Sequence, residues 1–177
     1  MNLLRSFRRR NVLRMLLTFL LCPGLIIWPT TVLANPSGGE VIQGSAEIVE
    51  DLEGVLQILQ DSDKAVIHWE DFSINVDELT EFLQPGENSA TLNRVTGSAA
   101  SALMGQLKAN GKILLVNPNG IVIGPSGTVD TAGFIASALD VSDSDFMADG
   151  DMTFRGSSAA GVVNMGRIST PQGDVFL

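Results

Sequence analysis

The chain is poor in the residues that most often carry chemistry. Its 177 residues include one cysteine, one histidine and no tyrosine, and only 18% are charged. A single cysteine, Cys22, closes no intrachain disulfide, so a small scaffold stapled by disulfides is excluded. A single histidine, His68, leaves a triad conceivable and excludes a multi-histidine metal cluster. Positive charge is scarce beyond the N-terminus. Residues 1–34 hold five arginines (Arg5, Arg8, Arg9, Arg10, Arg14) and no acid; removing those five from the formal net charge of −9 leaves −14 on residues 35–177. Such an acidic body disfavours nucleic acid and anionic lipid surfaces, because counterion release requires clustered lysine and arginine.

A long uninterrupted apolar run is missing as well. Met15 to Trp28 is apolar, but Pro23 and Gly24 interrupt it, and it falls short of the roughly 20 residues of a spanning helix. A basic segment ending at Arg14, that apolar run, and Val32-Leu33-Ala34 before Asn35 form the layout of a secretory signal peptide with an extended basic n-region. The expected organisation is therefore a signal peptide over 1–34, cleaved between Ala34 and Asn35 after delivery to the general secretion machinery. A secreted domain over 35–177 would follow, with no stable transmembrane anchor. Leu20-Leu21 ahead of Cys22 lacks the small residue expected before a lipid-modified cysteine. Cleavage would leave the mature chain without thiols. That suits a chain kept threadable for export, and it suits equally a β-rich domain large enough to need no staples.

The remainder is glycine-rich (18 residues) and 45% hydrophobic, as expected of one globular domain. Its most informative stretch is Ile113-Leu-Leu-Val-Asn-Pro-Asn-Gly-Ile-Val-Ile123, two short apolar segments around the turn Asn117-Pro118-Asn119-Gly120. Asn117 can bond its own backbone two residues on, Pro118 presets φ, and Asn119 and Gly120 tolerate the remaining angles. Strand-like runs at Ala65–Trp69, Phe72–Ile74, Thr91–Thr96, Ile113–Val116, Ile121–Ile123, Thr128–Val129 and Phe134–Leu139 are separated by close-set turns. A sandwich spaces its turns more widely, whereas a β-solenoid uses short strands of this kind in stacked rungs. Val49, Leu52, Leu56 and Leu59 fit a helical spacing and a strand about equally; Gly44 and Gly54 weaken the helix, so strands are preferred. Ser98 to Leu107 is alanine-rich, with Ser98 as a candidate N-cap, and permits one short helix near 98–107.

The stretch from Ala65 to Phe154 resembles the N-terminal secretion domain of two-partner-secretion exoproteins, the filamentous-haemagglutinin-like family. The ordered pieces are Ala65-Val-Ile-His-Trp69 with Phe72 and Ile74; Phe82-Leu-Gln-Pro85; Leu92-Asn-Arg-Val-Thr-Gly97; Leu107-Lys-Ala-Asn-Gly111; Val116-Asn-Pro-Asn-Gly-Ile121; Ala136-Ser-Ala-Leu-Asp140; and Asp145-Phe-Met-Ala-Asp-Gly150 with Thr153-Phe154. The resemblance implies an all-β, right-handed parallel β-helix with an N-terminal cap and β-hairpin excursions. It implies as partner the POTRA domains of a cognate outer-membrane β-barrel transporter, met in the periplasm on the way to the cell surface or medium of a Gram-negative bacterium. It also maps the family's secretion motif onto Asn117, Pro118, Asn119 and Gly120; the residues themselves favour shaping a rung turn over touching the partner. Val122-Ile123 stand where the family usually has an aromatic, and the family's second, upstream motif has no clear copy. Family members continue into long repetitive regions. A chain that stops at Leu177 inside an apparent rung is therefore expected to be a truncated product or an incomplete gene model.

Chemical motifs are weak. Gly105 to Lys112 has the wrong spacing for a phosphate-binding loop, and Ile113 replaces the needed Ser or Thr. Asp140, Asp143, Asp145, Asp149 and Asp151 invite a calcium reading, but Met147 and Ala148 replace a ligand and a glycine, which favours a solvated acidic loop. His68 is expected to be structural, and Trp69 and Phe72 to pack. No catalytic residue, metal or cofactor is expected. The competing readings are a self-standing structural or adhesive solenoid and a β-helix polysaccharide-active enzyme, for which Arg94, Arg155 and Arg167 look scattered.

Overall fold

A computed structural model describes residues 35–50, 53–148, 150–171 and 173–177. The expected signal peptide, Ala34, Leu52 and Asp149 lie outside the described residues. The described chain winds as a parallel β-solenoid. β3 (Val55–Gln60), β4 (Lys64–Trp69) and the single bridge residue Ile74 form one rung. β5 (Leu79–Leu83), β6 (Ala90–Val95) and β7 (Ser101–Leu103) form the next. They are followed by β8 (Gln106–Ala109), β9 (Lys112–Val116) and β10 (Ile121–Ile123). β11 (Thr128–Asp130) and β12 (Gly133–Ser137) precede an excursion, after which β13 (Val162–Asn164) closes that rung. β14 (Arg167–Ser169) and β15 (Val175–Phe176) begin another.

Each rung gives one strand to each sheet, so non-consecutive strands pair. Leu79 lies beside Gln106 and Gln106 beside Thr128; Ala90 lies beside Lys112, and Ile113 beside Phe134. The intervals differ, which is why no fixed period shows in the sequence. At the N-terminal end, β1 (Glu40–Gln43) and β2 (Ala46–Glu50) run antiparallel to β4 and β3 and cap the stack. The segment that fits helix or strand is thus the β2–β3 hairpin, in which Leu56, Ile58 and Gln60 alternate inward.

The apolar run Ile113–Val116 is buried along its whole length because its sheet is covered on both faces. Ile113 and Leu115 join Ile67, Trp69, Phe134 and Ala136 inside the coil; Leu114 and Val116 join Val66 and Leu92 outside it. The outer patch is covered by the excursion, whose helix α1 (Asp143–Met147) buries Phe146 beside Val141. A strand buried on both faces loses alternation and reads as a continuous apolar run.

Two expectations need correction. Residues 98–107 are not helical: they contain β7 and the start of β8, and the short helix lies at 143–147. Ladder pairing decides this, since Ser101, Ala102 and Leu103 lie beside Ile121, Val122 and Ile123. A helix would forfeit those bonds and leave Ser101 and Leu103, both buried, without their inward positions. The excursion between β12 and β13 is also not a β-hairpin; its described residues form α1 and one antiparallel bridge between Asp140 and Arg155.

Candidate functional site

The Asn117–Gly120 segment turns the chain from β9, in one sheet, to β10, in another. The Gly120 amide donates to the Asn117 carbonyl (3.0 Å), closing a four-residue turn. The Asn119 amide donates to Asn117 Oδ1 (2.9 Å), so the side chain repeats the turn two residues on. Gly120 holds φ +104°, a left-handed conformation that favours glycine.

Asn117 is fully buried, and its side chain ties this corner to the rung before it. Nδ2 donates to the Ala99 carbonyl (3.0 Å) and to Ser101 Oγ (2.9 Å), while Oδ1 accepts from Asn119 N and Asn119 Nδ2 (3.1 Å). Both donors and both acceptor positions of the amide are thereby used. Asn119 Nδ2 also donates to the Gly97 carbonyl (2.9 Å). The following rung seals the other side: Asn117 N donates to Ser137 O, Ile121 N to Gly161 O, and Ser158 Oγ to Pro118 O (2.6 Å). The motif therefore divides. Asn117 and Gly120 are buried, whereas Pro118 and Asn119 face solvent.

A second constellation holds the excursion, and no spacing in the sequence points to it. Arg94, on β6, donates from Nε to Asp140 (2.9 Å), from Nη1 to Asp143 (2.6 Å) and from Nη2 to the Val141 carbonyl (2.6 Å). Its Nη1 also meets His68 Nε2 at 2.8 Å; a guanidinium only donates, so Nε2 accepts. Burial alone would lower the Arg94 pKa, but the bonds and charges of Asp140 and Asp143 outweigh it and raise the pKa above the usual value. Lys64 Nζ donates to the carbonyls of Phe146, Met147 and Ala148 at the end of α1, where a cation suits the exposed carbonyl dipoles.

Two acids of the expected solvated loop are thus tethers. Asp145 lies in the first turn of α1, its amide donating to the capping Ser142 hydroxyl, Asp151 is exposed, and Asp149 is outside the described residues. Among the described residues no group of three or more histidine, cysteine or acidic side chains is gathered for a metal. Trp69 and Phe72 pack edge to face in the core (5.6 Å, 82°), and Trp69 Nε1 donates to buried Asn93 Oδ1 (2.9 Å). Among the described residues no helix is long and apolar enough to cross a membrane.

These features define a class: a capped parallel β-helix whose corners are locked by side-chain amides. The chain belongs to the TPS secretion domain family, whose model matches residues 33–176. The solved secretion domain of HMW1 from Haemophilus influenzae is similar at 38% identity and TM-score 0.70, over 76% of this chain and 36% of that one. Two heme/hemopexin-binding proteins of the same species are 37% and 39% identical over 106 residues, which is 60% of this chain. The match spans only 11% and 12% of those relatives' lengths.

Proposed function

We propose that the chain is the export-targeting module of a two-partner-secretion exoprotein. Delivered to the periplasm by a signal peptide over 1–34, it is read there by the POTRA domains of a cognate outer-membrane β-barrel transporter. The transporter passes it to the cell surface or medium of a Gram-negative bacterium. The observation that carries this reading is the family match across residues 33–176. Two local features agree with it. Asn35, the first residue after the expected cleavage, is tied to the strand ends: its Nδ2 donates to Gly54 O (2.9 Å) and its Oδ1 accepts from Thr80 (3.2 Å). In the secretion motif, Asn117 and Gly120 build the corner, and Pro118 and Asn119 are the part a partner could touch.

The role this reading assigns to the chain is recognition. A groove of about 500 Å³ runs beside α1, and its charged lining among the described residues is Lys64, Lys112 and Asp174. Co-expression with and without the cognate transporter tests the proposal. The chain should reach the medium only with the transporter, and changing Asn117 and Asn119 together to alanine should sharply reduce that amount. Equal release without a transporter would instead favour a self-standing adhesive solenoid.

A further inference from the structure

The chain contains two Asn-Gly dipeptides, Asn110-Gly111 and Asn119-Gly120, both at corners. Asn-Gly is the sequence most prone to spontaneous deamidation, because glycine leaves its amide nitrogen unhindered for attack on the neighbouring side chain. In that reaction the glycine N gives up its proton and bonds to the asparagine Cγ. The Cγ–Nδ2 bond breaks and Nδ2 leaves as ammonia, taking that proton. Water then opens the resulting succinimide at either carbonyl, giving aspartate or isoaspartate. One water is consumed, one ammonia is released, and nothing is oxidised or reduced.

Both corners oppose this chemistry in the same way. At the first, Gly111 N donates to Gln84 Oε1 (3.0 Å), Asn110 Nδ2 donates to Gln84 O (2.7 Å), and Asn110 Oδ1 accepts from Gln84 N (2.7 Å). At the second, Gly120 N donates to Asn117 O (3.0 Å), and Asn119 Nδ2 donates to Gly97 O and Asn117 Oδ1. In each case the attacking nitrogen is engaged and the leaving amide is held elsewhere, although both asparagines are exposed to water. Solvent access alone would leave them reactive, so protection comes from the corner geometry.

We propose that Asn110 and Asn119 are latent deamidation sites that the solenoid protects and the unfolded chain does not. Reaction then proceeds only through corner opening, as hydrogen exchange does. The product weakens the corner. Aspartate at 110 or 119 replaces a donor with a carboxylate facing the carbonyl of Gln84 or Gly97. Any interval spent unfolded therefore adds chains whose corners carry a carboxylate where an amide donor stood. The inference rests on the corner geometry and holds whether or not the chain is exported.

The test is peptide mapping by mass spectrometry of the chain aged in mildly alkaline buffer, folded and in urea. Conversion at Asn110 and Asn119 should be about tenfold or more faster in urea. Equal rates in the two states would overturn the proposal. A Gln84→Ala variant separates the corners: it removes the acceptor of Gly111 N and leaves the second corner intact. Conversion in the folded variant should rise at Asn110 and stay at the parental rate at Asn119. A rise at both sites accompanied by loss of the folded circular dichroism signal would also show that the fold is the protector. An unchanged Asn110 rate in a folded variant would overturn the role given to the Gly111 bond.

Discussion

Asn117 and Asn119 differ by two positions and by nearly everything else. Asn117 spends all four hydrogen-bonding positions of its amide inside the corner, whereas Asn119 sits at the surface. Truncating Asn117 takes the partner from the buried Ser101 hydroxyl, and a buried polar group left unpaired costs about 1–3 kcal/mol. Asn117→Ala should therefore lower unfolding free energy by about 2–3 kcal/mol, and Asn119→Ala by less than about 1 kcal/mol. Urea unfolding midpoints measure both; equal losses would mean that the turn, not the buried amide, holds the corner. Arg94 carries the matching burden for the excursion, with a side chain only 13% exposed. Arg94→Met should cost about 1–2 kcal/mol, between a surface and a buried ion pair. The sign of its pH dependence follows from its raised pKa. The contribution is complete below the unfolded value and fades only as pH climbs through the still higher folded one. The stability difference between parent and Arg94→Met should accordingly stay flat from neutral to mildly alkaline pH in paired urea titrations.

Elements are held where neighbouring rungs meet, and two glycines show the contrast. A Cβ at Gly105 would collide with the backbone carbonyl of Asn75, while at Gly86 it would meet nothing within 4 Å. Gly105→Ala should cost about 2 kcal/mol or more and Gly86→Ala close to nothing, as thermal melts of the two variants would report. Helix α1 is short and depends on docking through Phe146, which is 2% exposed. Phe146→Ala should destabilise by about 3 kcal/mol and should speed amide exchange in residues 139–161 ahead of the rungs; uniform acceleration would contradict this. The positions of most strands were legible from apolar runs and turn residues: Ile121–Ile123 coincides with β10, and Thr91–Thr96 falls one residue from β6. Residues 98–107 were not legible. Small residues such as Ser101 and Ala102 suit a helix locally, and only the ladder with β10 makes them a strand.

At the scale of the molecule, parallel pairing between rungs makes most contacts distant in sequence. Chains built that way fold in about milliseconds to seconds, slower than helical domains, because loop entropy is spent before long-range contacts form. Stopped-flow refolding of the chain should fall in that range and be indifferent to reductant, since Cys22 is the sole cysteine. Microsecond folding would imply that local structure, not rung stacking, organises the coil.

The sequence by itself determined the solenoid class, the turn at Asn117–Gly120 and the family, because strand runs, turn residues and ordered motifs are local properties written in consecutive residues. Only the tertiary structure decided that Asn117 is buried while Asn119 is not, that Arg94 gathers Asp140 and Asp143, and that the excursion carries the short helix. Those outcomes depend on residues of different rungs meeting across unequal intervals. Register between rungs, set by which side chains can share an inside, has no period in the sequence from which it could be read.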